Sequence, residues 1–552
     1  MEPLLLTAVL GGLALLYSIY RLLTRPSISD IPGPESKSFW LGHLPELFQE
    51  EAGDTDFKWQ EEYGNIVRVK APFGEDMLWI SDPKTLQYIY QTSGYNFPKQ
   101  PERRVLSRLI GDTGLTWADV GDVHKRQRKV MLPAFGTPES KALLPVFRHY
   151  AEQVTLKWKD LLAGHSEQSI KLNVHDYIAP ATLEAIGEAA FDYKLGVLDD
   201  KTSELGAAYK NLVASIFSAP SNAKIFMQNI AHYVPMCVQN FLYDNLPGKG
   251  LDKARFNRAA AHKVANELLD MKTEALLMGK GNRDIMSILV KANAAENEAT
   301  RLSHPEIVSQ MRTILLAGQE TTSNTLSWAL MELAKQPQIQ SRLRAEVHAM
   351  ERTIRERGDA DFTVADFESM PYLQAVLKEI LRFYPAVPHT YRQSLHDDVL
   401  PLSKPIQTRS GKVISEIPIR AGLRLILSVC AYNRNKDVWG DDAHLFNPDR
   451  WLGSSKTKRN TAVGVYSNLC VSHITHSLTF AGGVRACIGW RFAIYEVQAF
   501  LTELVSNFQF ELTPDVARVC KTQAIVMVPT LKGEVEKGAQ LPLRVSLAPR
   551  EE

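Results

Sequence analysis

Ten residues near the C-terminus constrain this chain more than any other stretch: Phe480-Ala481-Gly482-Gly483-Val484-Arg485-Ala486-Cys487-Ile488-Gly489. They put one thiol in a glycine-rich loop just before a helical run, Trp490 to Leu504. Gly482, Gly483 and Gly489 permit positive φ and close approach of the backbone to a flat ligand. Arg485 supplies a permanent charge beside the thiol. With the N–H groups at the helix start, that charge is expected to favour a thiolate. An arbitrary cysteine is more simply a small buried hydrophobe, so the rest of the chain has to say which reading applies.

The 552 residues are 45% hydrophobic, which is ample for a large buried core. Length alone would suggest several domains, but no Gly/Ser linker, internal repeat or long low-complexity tract divides the chain. A formal net charge of +1 gives no global attraction to nucleic acid. The five cysteines (Cys237, Cys430, Cys470, Cys487, Cys520) are odd in number, widely spaced and without a Cys-x-x-Cys pair. That argues against a disulfide scaffold or a zinc site and fits a reducing compartment.

Pro3 to Tyr20 has no charged residue and would span roughly 27 Å as a helix, close to the hydrocarbon thickness of a bilayer. Arg21 and Arg25 follow it, which keeps the body cytoplasmic by the positive-inside rule. A cleaved signal peptide would need a charged n-region and a small-residue cleavage site, and neither is clear. Residues 1–25 are therefore expected to be a transmembrane anchor. Residues 26–39, with Pro26 and Ile31-Pro32-Gly33-Pro34, are read as a proline-rich hinge, and 40–552 as one domain.

Along that domain, Ile66–Ala71 and Met77–Ser81 alternate as a hairpin, and Asp82-Pro83 opens a helix. From about Val105 to Val120 the pattern weakens to a loop. His124 and Arg128 are four apart and share a helix face, with Lys125, Arg126 and Lys129 turned outward. Glu184–Phe191, Ser203–Ser218 and Lys253–Met278 have helical spacing. Ser303-His304-Pro305-Glu306 has capping-box spacing before an apolar helix to about Lys335. Inside it, Gly318 costs about 1 kcal/mol relative to alanine and needs a reason, such as a local widening that admits water. Ala317 and Thr321 share a face there. Glu379 and Arg382 are three apart on a further helix and can pair. Gly453–Ser477 is a polar insertion, and Ile525–Leu547 reads as strands joined by a Gly-rich turn.

In combination these stretches resemble the cytochrome P-450 family, and its microsomal fungal members in particular. Phe480, Gly483, Arg485, Cys487 and Gly489 match its haem-binding signature, a chance event on the order of one in ten thousand for a chain this long. Ala317-Gly318-Gln319-Glu320-Thr321-Thr322 matches its oxygen-activation segment. Glu379-x-x-Arg382 and Pro448-Asp449-Arg450 match its structural charge cluster. The landmarks occur in family order across essentially the whole chain.

The resemblance implies a mainly α fold with smaller β-sheets (α+β) and an N-terminal transmembrane helix. It implies heme b ligated by Cys487, which serves as axial ligand to the iron and helps break an O–O bond. Arg128, His124, Arg392 and Arg485 would serve the haem propionates, with Phe480, Gly483, Gly489 and Ala317 also against the cofactor. Glu320 and Thr321 would relay protons to bound oxygen. The 105–120 loop would roof the pocket, His389 would line it, and the C-terminal turn would touch substrate. The outer charges of Lys125, Arg126 and Lys129 would dock an acidic redox partner. No reductase domain follows Glu552, so electrons are expected from a separate NADPH–cytochrome P-450 reductase, with cytochrome b5 as an optional second donor.

The expected protein is a single-pass endoplasmic reticulum enzyme facing the cytoplasm, in contact with membrane lipid. It would use O2 to hydroxylate a lipophilic small molecule, with a terpenoid or sterol-like skeleton of specialised metabolism as the substrate class; no nucleic acid is involved. Detoxification of xenobiotics is the alternative within the class. A haem-binding protein without turnover is the alternative outside it, and the intact acid–alcohol pair disfavours that.

Overall fold

The structure is a computed structural model describing residues 20, 27–119, 121–165, 168–198, 203–279, 284–297, 300–452 and 477–549. Apart from Tyr20, the expected anchor lies outside the described residues, as does nearly all of the 453–477 insertion. Among the described residues no helix is long and apolar enough to cross a membrane.

The helix His304–Lys335 is the axis of the core. Its N-terminus is closed by the expected capping box, with the Ser303 N–H donating to Glu306 Oε2 at 2.8 Å and Pro305 in the first turn. Nearly every position from Ile307 to Ala334 is buried, so this helix is enclosed on all sides rather than amphipathic. Helices His175–Phe191, Lys249–Leu277 and Trp490–Asn507 pack around it. The helix is continuous through Gly318, without the widening expected there. The glycine has a packing reason: a Cβ would stand 2.8 Å from Ile186 Cγ1 on helix His175–Phe191. Its absence lets the two helices close.

Among the described residues the strands form four small sheets beside the helical body. In chain order they are β1 (Ile66–Lys70), β2 (Asp76–Ile80), β3 (Ser169–Asn173), β4 (His389–Gln393), β5 (Asp398–Gln407), β6 (Val413–Ile419), β7 (Arg424–Ser428), β8 (Phe508–Leu512), β9 (Val519–Ala524), β10 (Val526–Leu531) and β11 (Pro542–Leu547). The expected hairpin is present, with β1 antiparallel to β2 and Ile66 opposite Ile80. β7 adds parallel to β2, and β4 adds antiparallel to β7. The other sheets are β3–β11–β8, β5–β6 and β9–β10. This is the expected mainly α architecture with smaller sheets.

The stretch read as a hinge is docked on the domain. Ile28 and Ile31 are buried, the Arg68 N–H donates to Pro32 O at 2.9 Å, and a Cβ on Gly33 would meet Arg68 O at 1.9 Å. Two local readings change. Val105–Gly111 belongs to a helix, Pro101–Gly111, and only the residues after it form the roof loop. Ser203–Ser218 is broken at Asn211, whose φ of 53° lies in the left-handed region. The C-terminal strands are present as β10 and β11, with Gly533 and Gly538 in the connection, and they lie in different sheets.

The charge cluster is assembled as expected. Glu379 is fully buried and accepts from Arg382 Nε at 2.8 Å and Nη2 at 2.7 Å, from Arg450 Nε at 3.0 Å and from Trp451 Nε1 at 3.0 Å. Arg382 in turn donates to the carbonyls of Asn433 and Ala443, at 2.9 and 2.7 Å. The triad pins the turn Pro448–Trp451 to the helix Pro371–Phe383.

Candidate active site

A cavity of about 500 Å³ lies between helix His304–Lys335 and the Phe480–Gly489 loop. Its walls are largely apolar, with Ile110, Leu115, Ile314, Ala317, Phe480 and Val526 among them.

The loop forms one wall. The Cys487 N–H donates to Phe480 O at 2.9 Å and closes it into a tight turn. Phe480, Ala481, Arg485, Ala486, Cys487, Ile488 and Gly489 line the cavity. Gly483 does not: its φ is 64°, and a Cβ would stand 1.8 Å from Tyr90 O. It is glycine so that the loop can press on the turn Tyr88–Thr92, a correction to its expected place against the cofactor. Gly482 and Gly489 have negative φ, and the other left-handed residue of the loop is Ala481. A Cβ on Gly489 would meet nothing closer than the Phe135 ring at 3.7 Å, so protein packing leaves that side of the loop free for a ligand.

Cys487 is accessible, and that accessibility opens into the cavity it lines. Enclosure by protein pushes its thiol pKa up, while the Gly489 N–H and the Arg128 guanidinium pull it down without cancelling the burial. Arg485 does not play the part expected of it. Its guanidinium pairs with Asp119, Nη1 to Oδ1 at 2.6 Å, and Arg128 is the cation that acts on the thiol. A metal ion at the sulfur would deprotonate it outright.

The long helix forms the opposite wall. Ala317 is exposed in an otherwise buried helix because it faces the cavity. Thr321 lines the same space and donates its hydroxyl proton to Ala317 O at 2.7 Å, which leaves its lone pairs for a ligand or water. Glu320 is buried beside it and accepts from the Val213 N–H at 3.4 Å. Burial raises its pKa to about 7, against smaller opposing contributions from Val213 and Asn324. Thr321 and Glu320 thus make their bonds in different directions, and a relay between them requires water.

Cations collect at one edge. His124, Arg128, Arg392 and Arg485 line the cavity, and Lys99 joins them. Arg128 Nη1 donates to Ala486 O at 2.8 Å, which ties helix Gly121–Met131 to the thiol loop. His124 is held neutral: burial and the nearby Arg485, Lys99, Arg128 and Arg392 lower its pKa to about 3. Its Nδ1 lies 3.2 Å from Tyr95 Oη.

Three neighbouring expectations are corrected. Arg126 does not face outward; it grips Glu306, Nη1 to Oε2 at 3.0 Å, while Lys125 and Lys129 remain exposed. His389 does not line the cavity but bonds Asp56 through Nε2 at 2.7 Å, where Trp79 and Ser428 also donate. The turn that reaches the cavity from the C-terminal sheets is Ile525, between β9 and β10. Sequence reasoning also missed Lys99, Asp119, Ile186 and Val213, which carry no motif and come from distant segments.

A thiol faces an alcohol and an acid across an apolar gap, with guanidinium groups along one edge. Arg485 Nε is buried there without a protein partner. That donor set fits a flat iron macrocycle bearing carboxylates, and it defines the haem-thiolate class. Comparison with known proteins agrees. The family model of cytochrome P-450 matches residues 32–536. Cytochrome P-450 monooxygenase 205 of Postia placenta is 30% identical over 96% of this chain and 94% of its own length. The monooxygenases claQ and claP of Ampulloclitocybe clavipes are 31% and 32% identical, each over 95% of this chain and 94% of their own. The chain belongs to the cytochrome P-450 family and is a haem-thiolate monooxygenase.

Proposed function

We propose that this enzyme hydroxylates a lipophilic small molecule, of terpenoid or sterol-like skeleton in specialised metabolism. O2 is the oxidant, and the electrons come from a separate NADPH–cytochrome P-450 reductase. The observation that carries the reading is the opposition of Cys487 to Ala317 and Thr321 across one apolar cavity. Haem b, when bound, supplies oxygen activation and C–H oxidation. Cys487 would hold the iron. Arg128, Arg392 and Arg485 would hold the carboxylates, with neutral His124 beside them. Thr321 Oγ1 accepts a hydrogen bond from water. Glu320, near half-protonated at neutral pH, exchanges a proton with that water. The apolar walls exclude bulk water and accept an apolar skeleton.

Membrane attachment belongs to the same proposal, with residues 1–25 as anchor in the endoplasmic reticulum and the domain on the cytoplasmic side. Exposed apolar side chains support a lipid-facing region. Phe39, Trp40 and Phe73 form an exposed ring cluster with Phe226, and Met236, Val238 and Phe241 are exposed on helix Met236–Asn245.

The test is the carbon-monoxide difference spectrum of the dithionite-reduced protein. A strongly red-shifted Soret band, lost in Cys487→Ala, is expected. An ordinary haem spectrum in the wild type, or an unchanged band in the variant, refutes the ligand assignment.

A further inference from the structure

The cation edge contains one carboxylate the family motifs do not single out. Asp119 is 1% exposed and sits behind the cavity-lining residues Lys99, Arg392 and Arg485. It holds Arg485 at two points: Oδ1 pairs with Nη1 at 2.6 Å, and its carbonyl accepts from Nη2 at 2.7 Å. Its other carboxylate oxygen accepts the Lys99 N–H. Lys99 then reaches Thr116 O with its amine and bridges antiparallel to Arg392. Asp119 thereby holds the Arg485 guanidinium and the Lys99 backbone N–H, and Lys99 carries the link on to Arg392 through the backbone bridge. The Nη1–Oδ1 contact is an ion pair without hydrogen-bond geometry, so Arg485 Nε and Nη1 both keep a hydrogen-bonding capacity that no protein acceptor fills.

We propose that Asp119 is a positioning residue for the cofactor. It fixes Arg485 directly, and Lys99 and the Arg392 strand edge through the Lys99 backbone, so that their cations meet the cofactor's carboxylates in a set geometry. The physical need is plain. Lys99, Arg392 and Arg485 repel one another in a region where burial strengthens every charge interaction, and an unrestrained guanidinium would swing away. Two-point anchoring of the planar fork removes that freedom before the cofactor arrives.

The proposal rests on the haem-thiolate reading and makes a prediction of opposite sign to a purely electrostatic role. Removing one negative charge makes the edge more positive, which by charge alone would bind carboxylates more tightly. Loss of positioning weakens them instead. The measurement is the rate at which the holoenzyme releases haem to excess apomyoglobin, followed at the Soret band. Asp119→Asn is expected to lose haem about tenfold faster, in the range typical for outer-shell partners. Asp119→Glu keeps the charge, displaces it by one methylene and is also expected to lose haem faster. In the Asp119→Asn/Arg485→Lys double variant, loss should be no faster than in the quicker single variant, because Asp119 acts through Arg485. A merely structural role would give additive effects. Slower or unchanged loss in Asp119→Asn, unchanged loss in Asp119→Glu, or additivity overturns the proposal. A wild-type protein that takes up no haem would instead refute the cofactor reading itself.

Discussion

Replacing Gly318 by alanine sets two effects of opposite sign against each other. Inside a helix alanine is favoured over glycine by about 1 kcal/mol. Against that, the new Cβ would stand 2.8 Å from Ile186 Cγ1, 2.9 Å from Cδ1 and 3.4 Å from Cβ. The Cδ1 methyl can rotate away. Cγ1 cannot do so without moving a side chain that is 2% exposed on a packed helix. Overpacking by one methyl in such a place costs about 1–3 kcal/mol, so the net expectation is a loss of about 1 kcal/mol. Ile186→Ala removes Cγ1 and Cδ1, and in that background alanine at 318 should become stabilising by about 1 kcal/mol. Urea unfolding of the wild type, both single variants and the double variant, followed by far-UV circular dichroism, measures the coupling. About 2 kcal/mol is expected for residues in direct contact. If Gly318→Ala stabilises the wild type and the effects add, helix packing is not why glycine stands there, and a local opening for water becomes the better account.

Other perturbations test other parts of the argument. Glu379→Ala leaves two guanidinium groups and an indole N–H without their shared acceptor; it should cost about 3–5 kcal/mol in the same urea assay, and a cost under about 1 kcal/mol would refute the structural role of the triad. Glu320 holds its proton up to about pH 7, above the ordinary value of 4.5. Between those values the folded protein keeps a proton that the unfolded chain releases, so stability falls as pH rises. Glu320→Gln should reduce that fall by about 3 kcal/mol, and an identical pH profile in the variant would show that Glu320 is ionised throughout. Thr321→Ala should divert consumed O2 to hydrogen peroxide at the expense of product. An unchanged ratio of product to O2 consumed would remove Thr321 from proton delivery.

The parts of the site legible in sequence were those whose residues share one element or one turn. His124 and Arg128 lie on one face of one helix, Ala317 and Thr321 on another, and Phe480 to Gly489 is a single loop. For the thiol loop, the motif identified the right segment but not the work of each residue. Gly483 answers to Tyr90, a contact across nearly four hundred residues, and no local pattern contains it. Arg485 was expected to act on Cys487 because it is two residues away. Its guanidinium goes to Asp119 because a buried cation takes the nearest desolvated anion, not the nearest neighbour in sequence.

What the sequence by itself determined is local and periodic. The capping box at Ser303 and Glu306, the β1–β2 hairpin, the Glu379–Arg382 spacing and the thiol loop all follow from bonds and repeats spanning a few residues. Outside the Glu379–Arg382 cluster, which charge meets which was decided by tertiary packing. It sent Arg126 to Glu306, His389 to Asp56 and Arg485 to Asp119. It also made Gly318 a contact point for Ile186. The physical reason is that a side chain's partner is set by what burial leaves within reach once helices and sheets have closed, and that closure depends on surfaces contributed by the whole chain.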